Sequence, residues 1–356
     1  MRTPLYDEIV KLNAKMVDFH GWDMPIQFTS ILEEHRHVRS SAGIFDVSHM
    51  GDITIDGKDA EDFLSYLFPT DISKSPVGKA IYSAYLNNEG NMIDDTIIYK
   101  RSEERFLVVP NAATTDRVYK WIMDNRKAYN VRVTNLSDKL ACIALQGPLS
   151  PKVMEKVVPE ANKLDHFTFI SASNYFPDRE LENATSIGRT GYTGEDGFEF
   201  IVPNKYAVNL WRNLLTIQDV KPIGLGARDT LRMEKGFLLS GQDFDQDRNP
   251  IESGVSWIIN WDHDFIGKKK LLEKKDNVKE RFRGIITIDK IVPRSGSLIK
   301  FGGEIVGKLT SGTFSPSLSK GIGLGYVDSK INIESEVTVV TKTSEGKAIL
   351  KKPRLL

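Results

Sequence analysis

The chain has 356 residues, which is more than one hydrophobic core usually serves, so we expect two or three domains. Its 48 basic and 48 acidic side chains cancel, so no net field would attract nucleic acid or an anionic membrane surface. A single cysteine, Cys142, excludes a disulfide framework and a thiolate metal cage, and it favours a reducing compartment.

The first part of the chain alternates predicted helices and strands. The N-terminal residues lack the apolar core of a signal peptide, and no stretch has the roughly 20 apolar residues that span a bilayer, so we expect a cytoplasmic protein. Residues 31–40 have the pattern of a short charged helix, and strand patterns then run to Asp56. Apolar residues at helical spacing predict a helix within residues 58–68, and residues 80–100 read as two strands joined through a turn at 88–90.

The rest of the chain changes from mixed elements to short strands. A strand is predicted at 105–114 and a helix at 113–126, and a further helix follows Pro222. Residues 268–283 are rich in charge and are interpreted as a link between domains. Beyond residue 280 short strands separated by Gly, Ser and Pro predict a small β-barrel or sandwich. The whole pattern indicates an α+β protein.

The acidic pair Asp94-Asp95 lies in a predicted strand, where the two side chains point to opposite faces. Only one of them can therefore enter a cavity, while the other meets solvent or a neighbouring backbone. Acidic residues at the beginning of a strand would explain this pair structurally, without any function. The apolar flanks, Ile93 and residues 96–98, favour a functional role instead, because a carboxylate in apolar surroundings must be paired or used.

Two further clusters allow both a structural and a functional interpretation. Arg228 and Arg232 lie one turn apart on a predicted helix, and either an ion pair with Asp229 or a ligand carboxylate between them would relieve their repulsion. The block "GYTGEDGFEF", residues 191–200, has the glycines of a turn followed by strand alternation, which leaves the position of Glu199 unexplained.

The histidines do not indicate a metal site or a general base. His35 and His37 are two residues apart on a predicted helix, so they face different directions and are expected to be solvated. His49 is predicted to be a satisfied structural histidine. The sequence contains no nucleophile elbow, no P-loop and no G-x-G-x-x-G fingerprint.

Eight blocks, taken together and in this order, resemble the glycine cleavage system T-protein family, the aminomethyltransferases. The resemblance covers essentially the whole chain, and the order of the blocks makes it specific. The blocks are "RTPLYDEIVKLNAKMVDFHGWDMPIQF", "GIFDVSHMGDITIDG", "NNEGNMIDD", "ALQGP", "GRTGYTGEDGFEF", "GLGARDTLRMEKG", "FIGKKKL" and "LTSGTFSPSLSKGIGLGYV".

The resemblance implies an α+β fold with three domains in a ring around a central folate cavity. The expected domains are a discontinuous α+β folate-binding domain of residues 1–50 and 140–275, a ferredoxin-like domain of residues 51–139, and a C-terminal β-barrel of residues 280–356. The segments of the first two domains would be intertwined.

The family also implies the reaction. The methylene carbon of an aminomethyl group on the dihydrolipoyl arm of the H-protein would pass to tetrahydrofolate, with release of ammonia. Tetrahydrofolate would be a co-substrate and the lipoylated H-protein the partner, with no metal, nucleic acid or membrane involved.

The resemblance assigns roles to individual residues. Asp95 matches the family's functional aspartate, beside the folate nitrogens that accept the carbon, with Asp94 as the alternative. Glu199 matches the glutamate that binds the donor-rich edge of the pterin ring, and Glu195 and Asp196 would be solvated turn residues. Further positions match residues that contact or line the folate pocket: Met50, Tyr82, Asn111, Tyr192, Arg228, Trp257 and Arg354.

Two positions differ from the family pattern, and two other functions are possible for a chain with this fold. Ser240 stands where the family usually has an aromatic residue, and Asn91 where a second glycine is common. A folate-binding iron–sulfur assembly paralogue carries a related K-G-C-x-x-G-Q segment, but residues 235–242 here lack the cysteine. A tetrahydrofolate-dependent demethylase of a small methylated amine would share the scaffold, because a fold does not determine a substrate.

Overall fold

The computed structural model describes residues 1–356, and these form two compact units. Unit 1 comprises residues 1–85 and 94–228, and unit 2 comprises residues 86–93 and 229–356. None of the helices is both long and apolar enough to cross a bilayer.

The helices are short and mostly amphipathic. They are α1 (Tyr6–Lys11), α2 (Ile31–Ser40), α3 (Ala60–Leu67), α4 (Thr115–Asn125), α5 (Ser150–Val157), α6 (Asn204–Leu215), α7 (Leu225–Lys235) and α8 (Lys268–Lys274).

The strands are distributed over four sheets, one of which is a closed barrel. They are β1 (Lys15–Phe19), β2 (Trp22–Gln27), β3 (Ala42–Asp46), β4 (Ile53–Asp56), β5 (Ala80–Leu86), β6 (Met92–Ser102), β7 (Arg105–Pro110), β8 (Arg132–Asn135), β9 (Leu140–Gln146), β10 (Phe169–Ser171), β11 (Ser186–Gly188), β12 (Gly197–Pro203), β13 (Val220–Pro222), β14 (Glu280–Thr287), β15 (Leu298–Phe301), β16 (Glu304–Ser315), β17 (Lys320–Asp328), β18 (Glu336–Val340) and β19 (Glu345–Lys351).

The six-stranded sheet of unit 1 has the order β10-β11-β12-β9-β3-β13. Every residue of its strand β9 is buried, which explains the continuous apolar sequence "LACIALQ". One face of the sheet packs against α5 and α6 through a core that includes Ile143, Phe198, Phe200 and Trp211. Cys142 lies on the opposite face, and burial raises the pKa of its thiol well above the usual value.

The five-stranded sheet of unit 1 has the order β5-β6-β7-β4-β8. Helices α3 and α4 pack against β7 and β8. Phe63, Leu64 and Leu67 of α3 are fully buried, as the helical spacing of these residues predicts. One sheet of unit 1 thus takes its strands from residues 42–46 and 140–222, and the other takes its strands from residues 53–135. The domain boundaries inside unit 1 stay a prediction.

Unit 2 contains the β-barrel that the short C-terminal strands predict. Six antiparallel strands close in the order β14-β17-β16-β15-β18-β19, around buried residues such as Ile285, Leu309, Val339 and Leu350. The α+β fold with a C-terminal barrel is confirmed. Strands β15 and β19 did not figure in the sequence interpretation.

The charge-rich segment 268–283 is not a simple link. It contains helix α8 and the first residues of β14. Lys274 donates from Nζ to the carbonyl oxygen of Glu89, at 2.7 Å, and to Oδ1 of Asn91, at 3.1 Å. Lys274 is therefore used within unit 2, and the interpretation of this segment as a link between domains misses its helix.

The remaining predicted elements agree with the structure. The charged helix at 31–40 is α2, and the two strands joined near residue 89 are β5 and β6. Gly90 has φ +76°, as the turn between them requires. The predicted strand at 105–114 is β7, which ends earlier, at Pro110, and the predicted helix at 113–126 is α4.

Candidate active site

The acidic pair lies on β6, and its two carboxylates have different surroundings. Asp94 is fully buried, whereas Asp95 on the opposite face retains partial exposure. Asp94 accepts two hydrogen bonds from Asn111, one from the backbone N–H to Oδ2 at 2.9 Å and one from Nδ2 to Oδ1 at 2.8 Å. One aspartate thus meets a neighbouring backbone, as strand alternation predicts.

The carboxylate of Asp95 is held through both of its oxygens. The hydroxyl of Tyr82 donates to Oδ2 at 2.8 Å, and Nδ2 of Asn111 donates to Oδ1 at 2.8 Å. Burial, and secondly the charge of Asp94, raise the pKa of Asp95 to about 7. Asp95 can therefore accept or release a proton near neutral pH, while its two donors fix its orientation.

Glu199 lies on β12 and points away from the core of the six-stranded sheet. Its neighbours Phe198 and Phe200 are fully buried on the core side, whereas Glu199 is half-buried. The hydroxyl of Thr190 donates to Oε2 of Glu199 at 2.5 Å. Since an ionised carboxylate accepts several hydrogen bonds, Glu199 keeps capacity for a ligand with N–H donors.

A short chain of side chains connects the two sheets of unit 1. Strand alternation places Tyr99 on the same face of β6 as Asp95. The hydroxyl of Tyr99 lies 3.3 Å from Oγ1 of Thr190, and it is the donor in this pair because Thr190 gives its own proton to Glu199. The face that carries Asp95 and the face that carries Glu199 are therefore turned toward each other in the neighbourhood of Tyr99.

Arg228 contributes an unused donor to unit 1. Its guanidinium carbon lies 4.7 Å from the ring centroid of Tyr192, as in a cation–π contact, and its buried NH1 has no hydrogen-bond partner. Burial lowers the pKa of Arg228, but an arginine stays charged at neutral pH. A buried cationic donor without a partner fits an anionic or carbonyl group of a ligand.

The histidine predictions need two corrections. Burial, and secondly the charge of Arg228, lower the pKa of His49 to about 3, so its ring is neutral and is not a general base. Its buried Nδ1 has no partner, so the prediction of a satisfied histidine is wrong. His35 is fully buried rather than solvated, because it lies on the inner side of α2 with Val38.

The block "GYTGEDG" folds tightly over Gln146. A Cβ at Gly191 would lie 2.0 Å from Oε1 of Gln146, and one at Gly197 would lie 2.5 Å from its Nε2. Gly194 has φ +71°, which only glycine adopts freely. Gln146 in turn donates to the carbonyl oxygen of Thr190 at 3.0 Å. The glycines therefore allow Gln146 to approach the loop closely, and Gln146 positions Thr190, which bonds Glu199.

Glu195 and Asp196 are not solvated turn residues, contrary to expectation. Glu195 accepts from NH1 of Arg39 at 2.7 Å, and Asp196 accepts two hydrogen bonds from Arg189, at 2.9 and 2.5 Å. The exposed fractions of the two carboxylate side chains are 21% and 23%. The sequence interpretation missed these pairs because the arginines lie outside the turn.

Arg232 is a structural residue. Its side chain is fully buried, and its guanidinium bonds Asp229 at 2.8 Å and Asp243 at 2.7 Å. Other donors of the same guanidinium reach Oγ of Ser311 and the carbonyl oxygen of Phe237. The intrahelical ion pair is therefore the correct alternative for Arg232, since four of its five N–H donors bond protein groups and its side chain is fully buried.

The predicted site residues divide between the two units. Seven of them belong to unit 1 and are half-buried, which suits side chains that line a cavity: Met50, Tyr82, Asp95, Asn111, Tyr192, Glu199 and Arg228. Trp257 and Arg354 belong to unit 2, where Trp257 is 69% exposed and Nε of Arg354 donates to the carbonyl oxygen of Leu356 at 3.1 Å. The roles of all nine stay predictions.

Three supporting residues were not singled out in the sequence. Tyr99 and Thr190 connect Asp95's sheet with Glu199, and Gln146 holds Thr190. Thr190 and Gln146 lie inside the quoted blocks "GRTGYTG" and "ALQGP", and Tyr99 lies four residues after Asp95 on the same strand face. Strand periodicity could thus have indicated Tyr99, but no sequence signal joins it to Thr190.

Two open clefts lie away from these residues. One of about 410 Å³ is lined by residues of the barrel rim such as Phe301 and Glu336. The other, of about 220 Å³, lies beside Glu8, Trp211 and Arg212. Neither cleft is lined by a predicted site residue.

Comparison with known proteins extends over the whole chain. The family model described as the GCVT N-terminal domain matches residues 5–263, and the glycine cleavage T-protein C-terminal barrel domain matches residues 281–353. A curated aminomethyltransferase of Thermoanaerobacter pseudethanolicus is 40% identical, with 98% of this chain and 95% of the relative covered. One from Thermotoga maritima is 42% identical, with 95% and 93% covered.

A solved structure gives the same result for the fold. The crystal structure of glycine cleavage system aminomethyltransferase T from Bartonella henselae matches with a TM-score of 0.93 and 30% sequence identity, and the match covers 100% of this chain and 98% of that chain. This chain therefore belongs to the glycine cleavage T-protein family of aminomethyltransferases, and it is an enzyme that transfers a one-carbon unit.

Proposed function

We propose that the chain transfers the methylene carbon of an aminomethyl group from the dihydrolipoyl arm of H-protein to tetrahydrofolate. The observation that carries this proposal is the similarity to curated aminomethyltransferases over nearly the full length of both chains. Tetrahydrofolate is the co-substrate and lipoylated H-protein the partner. The cytoplasm, which the lone reduced cysteine favours, is the compartment, and no metal takes part.

The chemistry exchanges two bonds of one carbon for two others. The methylene carbon loses its bonds to sulfur and to the amino nitrogen, and it gains bonds to N5 and N10 of tetrahydrofolate. The protons of these two nitrogens are released as the bonds form, and protons are taken up by the thiolate and the departing ammonia. The products are 5,10-methylenetetrahydrofolate, ammonia and reduced H-protein.

Asp95 is the residue that we place next to the reacting atoms, the folate nitrogens and the transferred carbon. As an ionised carboxylate it accepts a hydrogen bond from a folate N–H and stabilises the positive charge that develops on the carbon as ammonia leaves. Tyr82 and Asn111 support this role, because their donors hold both carboxylate oxygens. The contribution is orientation and electrostatics, without a covalent intermediate on the protein.

Strand β12, the loop before it and helix α7 supply the groups for pterin recognition. Glu199 accepts two parallel N–H donors from the pterin edge, a geometry that a carboxylate suits well. Arg228 offers a buried donor that no protein group uses. Tyr192, with its ring against Arg228, lines the same side with an aromatic face.

The experiment that tests the function measures ammonia and methylenetetrahydrofolate from aminomethyl-loaded H-protein. We expect both products in equal amounts, and only when tetrahydrofolate and loaded H-protein are present. Sarcosine and dimethylglycine replace the H-protein in parallel reactions. Turnover of either amine without any response to H-protein would contradict the proposal and favour a demethylase, and folate binding without turnover would favour a non-enzymatic role.

The Asp95→Asn variant tests the assigned residue. We expect kcat to fall by roughly 100-fold or more, because the amide keeps the shape but removes the charge. The dissociation constant for tetrahydrofolate remains within about threefold, since the pterin is bound by other groups. A variant with unchanged kcat would reject the role of Asp95.

A further inference from the structure

Asp94 is fully buried on the face of β6 opposite to Asp95. The proposed reaction gives it no role, yet both of its carboxylate oxygens are used. They accept from the backbone N–H and from Nδ2 of the same residue, Asn111, at 2.9 and 2.8 Å. A buried carboxylate that bonds one partner twice fixes both the backbone and the side chain of that partner.

The amide of Asn111 has only one possible orientation. Its Nδ2 lies within hydrogen-bond distance of three oxygens, namely Oδ1 of Asp94 at 2.8 Å, Oδ1 of Asp95 at 2.8 Å and the carbonyl oxygen of Asp95 at 3.1 Å. All three are acceptors. A reversed amide would place its own oxygen against them, so Asp94 and Asp95 together determine that a donor faces Asp95.

We propose that Asp94 is a positioning residue, which locks Asn111 so that the amide holds the Asp95 carboxylate in its reactive orientation. Asp94 holds Asn111 through two hydrogen bonds, its charge also acts on Asp95 directly, and the proposed role involves no contact with substrate. Tyr82 secures the other oxygen of Asp95, at 2.8 Å. Only the catalytic role of Asp95 rests on the proposed function, because the hydrogen-bonded arrangement itself belongs to the folded chain.

The arrangement gives Asp94 and Asn111 opposite effects on the titration of Asp95. The charge of Asp94 raises the pKa of Asp95, whereas the donors of Asn111 and Tyr82 lower it. Tyr192 is the other titratable group near the Tyr82 hydroxyl. Loss of the Asp94 charge therefore lowers the pKa of Asp95 and loss of the Asn111 donor raises it, while the effect of Asp94 on kcat reports its positioning role.

The experiment uses the full-length chain with carboxyl-¹³C aspartate and follows the titration by NMR, with Asp95→Asn as the assignment control. In the wild-type chain the coupled carboxyls of Asp94 and Asp95 titrate in two steps, a lower and an upper one. In Asp94→Asn, the Asp95 carboxyl is expected to titrate about one pH unit below that upper step. In Asn111→Leu, the upper step is expected to rise by about one pH unit, because the doubly ionised pair loses its shared donor. Shifts in the same direction, or below about 0.3 unit in both variants, would overturn the proposal.

Kinetics supply the second measurement. Asp94→Asn is expected to lower kcat by roughly tenfold or more at the high-pH plateau and to leave the KM for tetrahydrofolate within about threefold. Asp46→Asn is the matched control, because Asp46 is equally buried in unit 1 but bonds Thr3 and Ser48. It is expected to leave the Asp95 titration in place.

The outcomes separate the inference from the proposed function. The wild-type chain could fail to transfer the aminomethyl carbon while the two variants shift the Asp95 titration in opposite directions. That result would contradict the proposed function and support the positioning role. If Asp94→Asn does not fold, Asp94→Ser repeats both the titration and the kinetic measurement, and Asn111→Ser repeats the Asn111→Leu test with a smaller side chain. A Tyr82→Phe variant that alone moves the titration would also contradict it.

Discussion

Single side chains in unit 1 differ in how completely their hydrogen bonds are satisfied. Asp94, Asp95 and Glu199 all accept hydrogen bonds from donors at 2.5–2.9 Å, whereas Oδ1 of Asp52 and NH1 of Arg228 are buried without a partner. A buried polar atom without a partner costs about 1–3 kcal/mol. Such atoms either wait for a ligand or reduce the stability of the fold, and substitutions distinguish the two cases.

Substitution of Glu199 tests ligand binding. We expect Glu199→Gln to raise the dissociation constant for tetrahydrofolate by roughly 10- to 100-fold, because a hydrogen bond to a charged acceptor contributes about 1.5–3 kcal/mol. Isothermal calorimetry gives the constant. Glu195→Gln is the matched control, since Glu195 belongs to the same block but pairs with Arg39. A control that weakens binding as much as Glu199→Gln would contradict the assignment.

Substitution of Asp52 tests stability. Burial raises the pKa of Asp52 to about 7, from a usual value near 4 in the unfolded chain. Because the folded-state pKa is the higher one, this residue lowers the stability increasingly as the pH rises from about 4 to about 7. Asp52→Asn is therefore expected to raise the melting temperature at pH 8 by about 3 °C or more, and to have a smaller or opposite effect at pH 5.

The control for this prediction is a variant whose melting temperature is expected to change in the opposite direction at pH 8. Asp178 is a surface carboxylate that accepts a hydrogen bond from Lys205 at 2.7 Å, and this bond lowers its pKa. Asp178→Asn is expected to lower the melting temperature slightly at pH 8. Scanning calorimetry at both pH values measures both variants, and a stabilisation by Asp52→Asn that does not depend on pH would contradict the explanation.

At the level of elements, the loop 191–197 is shaped by its contact with Gln146. The sequence predicts the turn and strand β12 correctly, because glycine positions and apolar alternation are local signals. It does not predict that Gly191 and Gly197 lie against a side chain of β9, since that contact joins residues 45 or more positions apart. Local patterns identify elements, and only the folded sheet identifies the neighbour.

Gly191→Ala tests this loop. The new Cβ would lie 2.0 Å from Oε1 of Gln146, so the loop or the glutamine must move. We expect a loss of about 1–3 kcal/mol in the free energy of unfolding, together with weaker binding of tetrahydrofolate through Thr190 and Glu199. Denaturant unfolding measures the first effect. In a Gln146→Ala background the same substitution is expected to cost clearly less, and equal costs in both backgrounds would reject the contact as the cause.

The candidate site shows the same limit of sequence reasoning. Strand alternation separates Asp94 from Asp95, and the family motif indicates which aspartate to choose. Asp95 accepts a hydrogen bond from Tyr82, and Asp94 accepts two hydrogen bonds from Asn111. These contacts depend on which strands are neighbours, and the pattern of one strand does not show that. The burial of His35 has a related reason, because the pattern of one helix does not show which of its sides packs against neighbouring strands.

At the level of the whole molecule, the sequence indicated the order of the parts. The mixed first part and the strand-rich C-terminal part correspond to the sheets of unit 1 and the barrel of unit 2. Composition alone gave only an expected number of domains. The eight blocks gave the family, because their order along the chain is far more specific than any one of them.

The balanced charge of the chain predicts its solution behaviour. With 48 basic and 48 acidic side chains and a pI near 7.0, intermolecular repulsion is weakest close to neutral pH. We expect the solubility in polyethylene glycol to be lowest near pH 7 and to increase at least about twofold at pH 5.5 and at pH 8.5. Precipitation curves measure it. A solubility that changes steadily with pH would indicate that a local patch dominates self-association.

The position of Cys142 provides an internal reporter of opening. The thiol is the only one in the chain, and burial within the six-stranded sheet keeps it protonated. A protonated, inaccessible sulfur does not react with alkylating reagents, whereas the same sulfur in an unfolded chain does. Mass spectrometry after brief exposure to iodoacetamide therefore counts the molecules in which this sheet has come apart, and a bound ligand that slows the labelling reveals itself without any enzymatic assay.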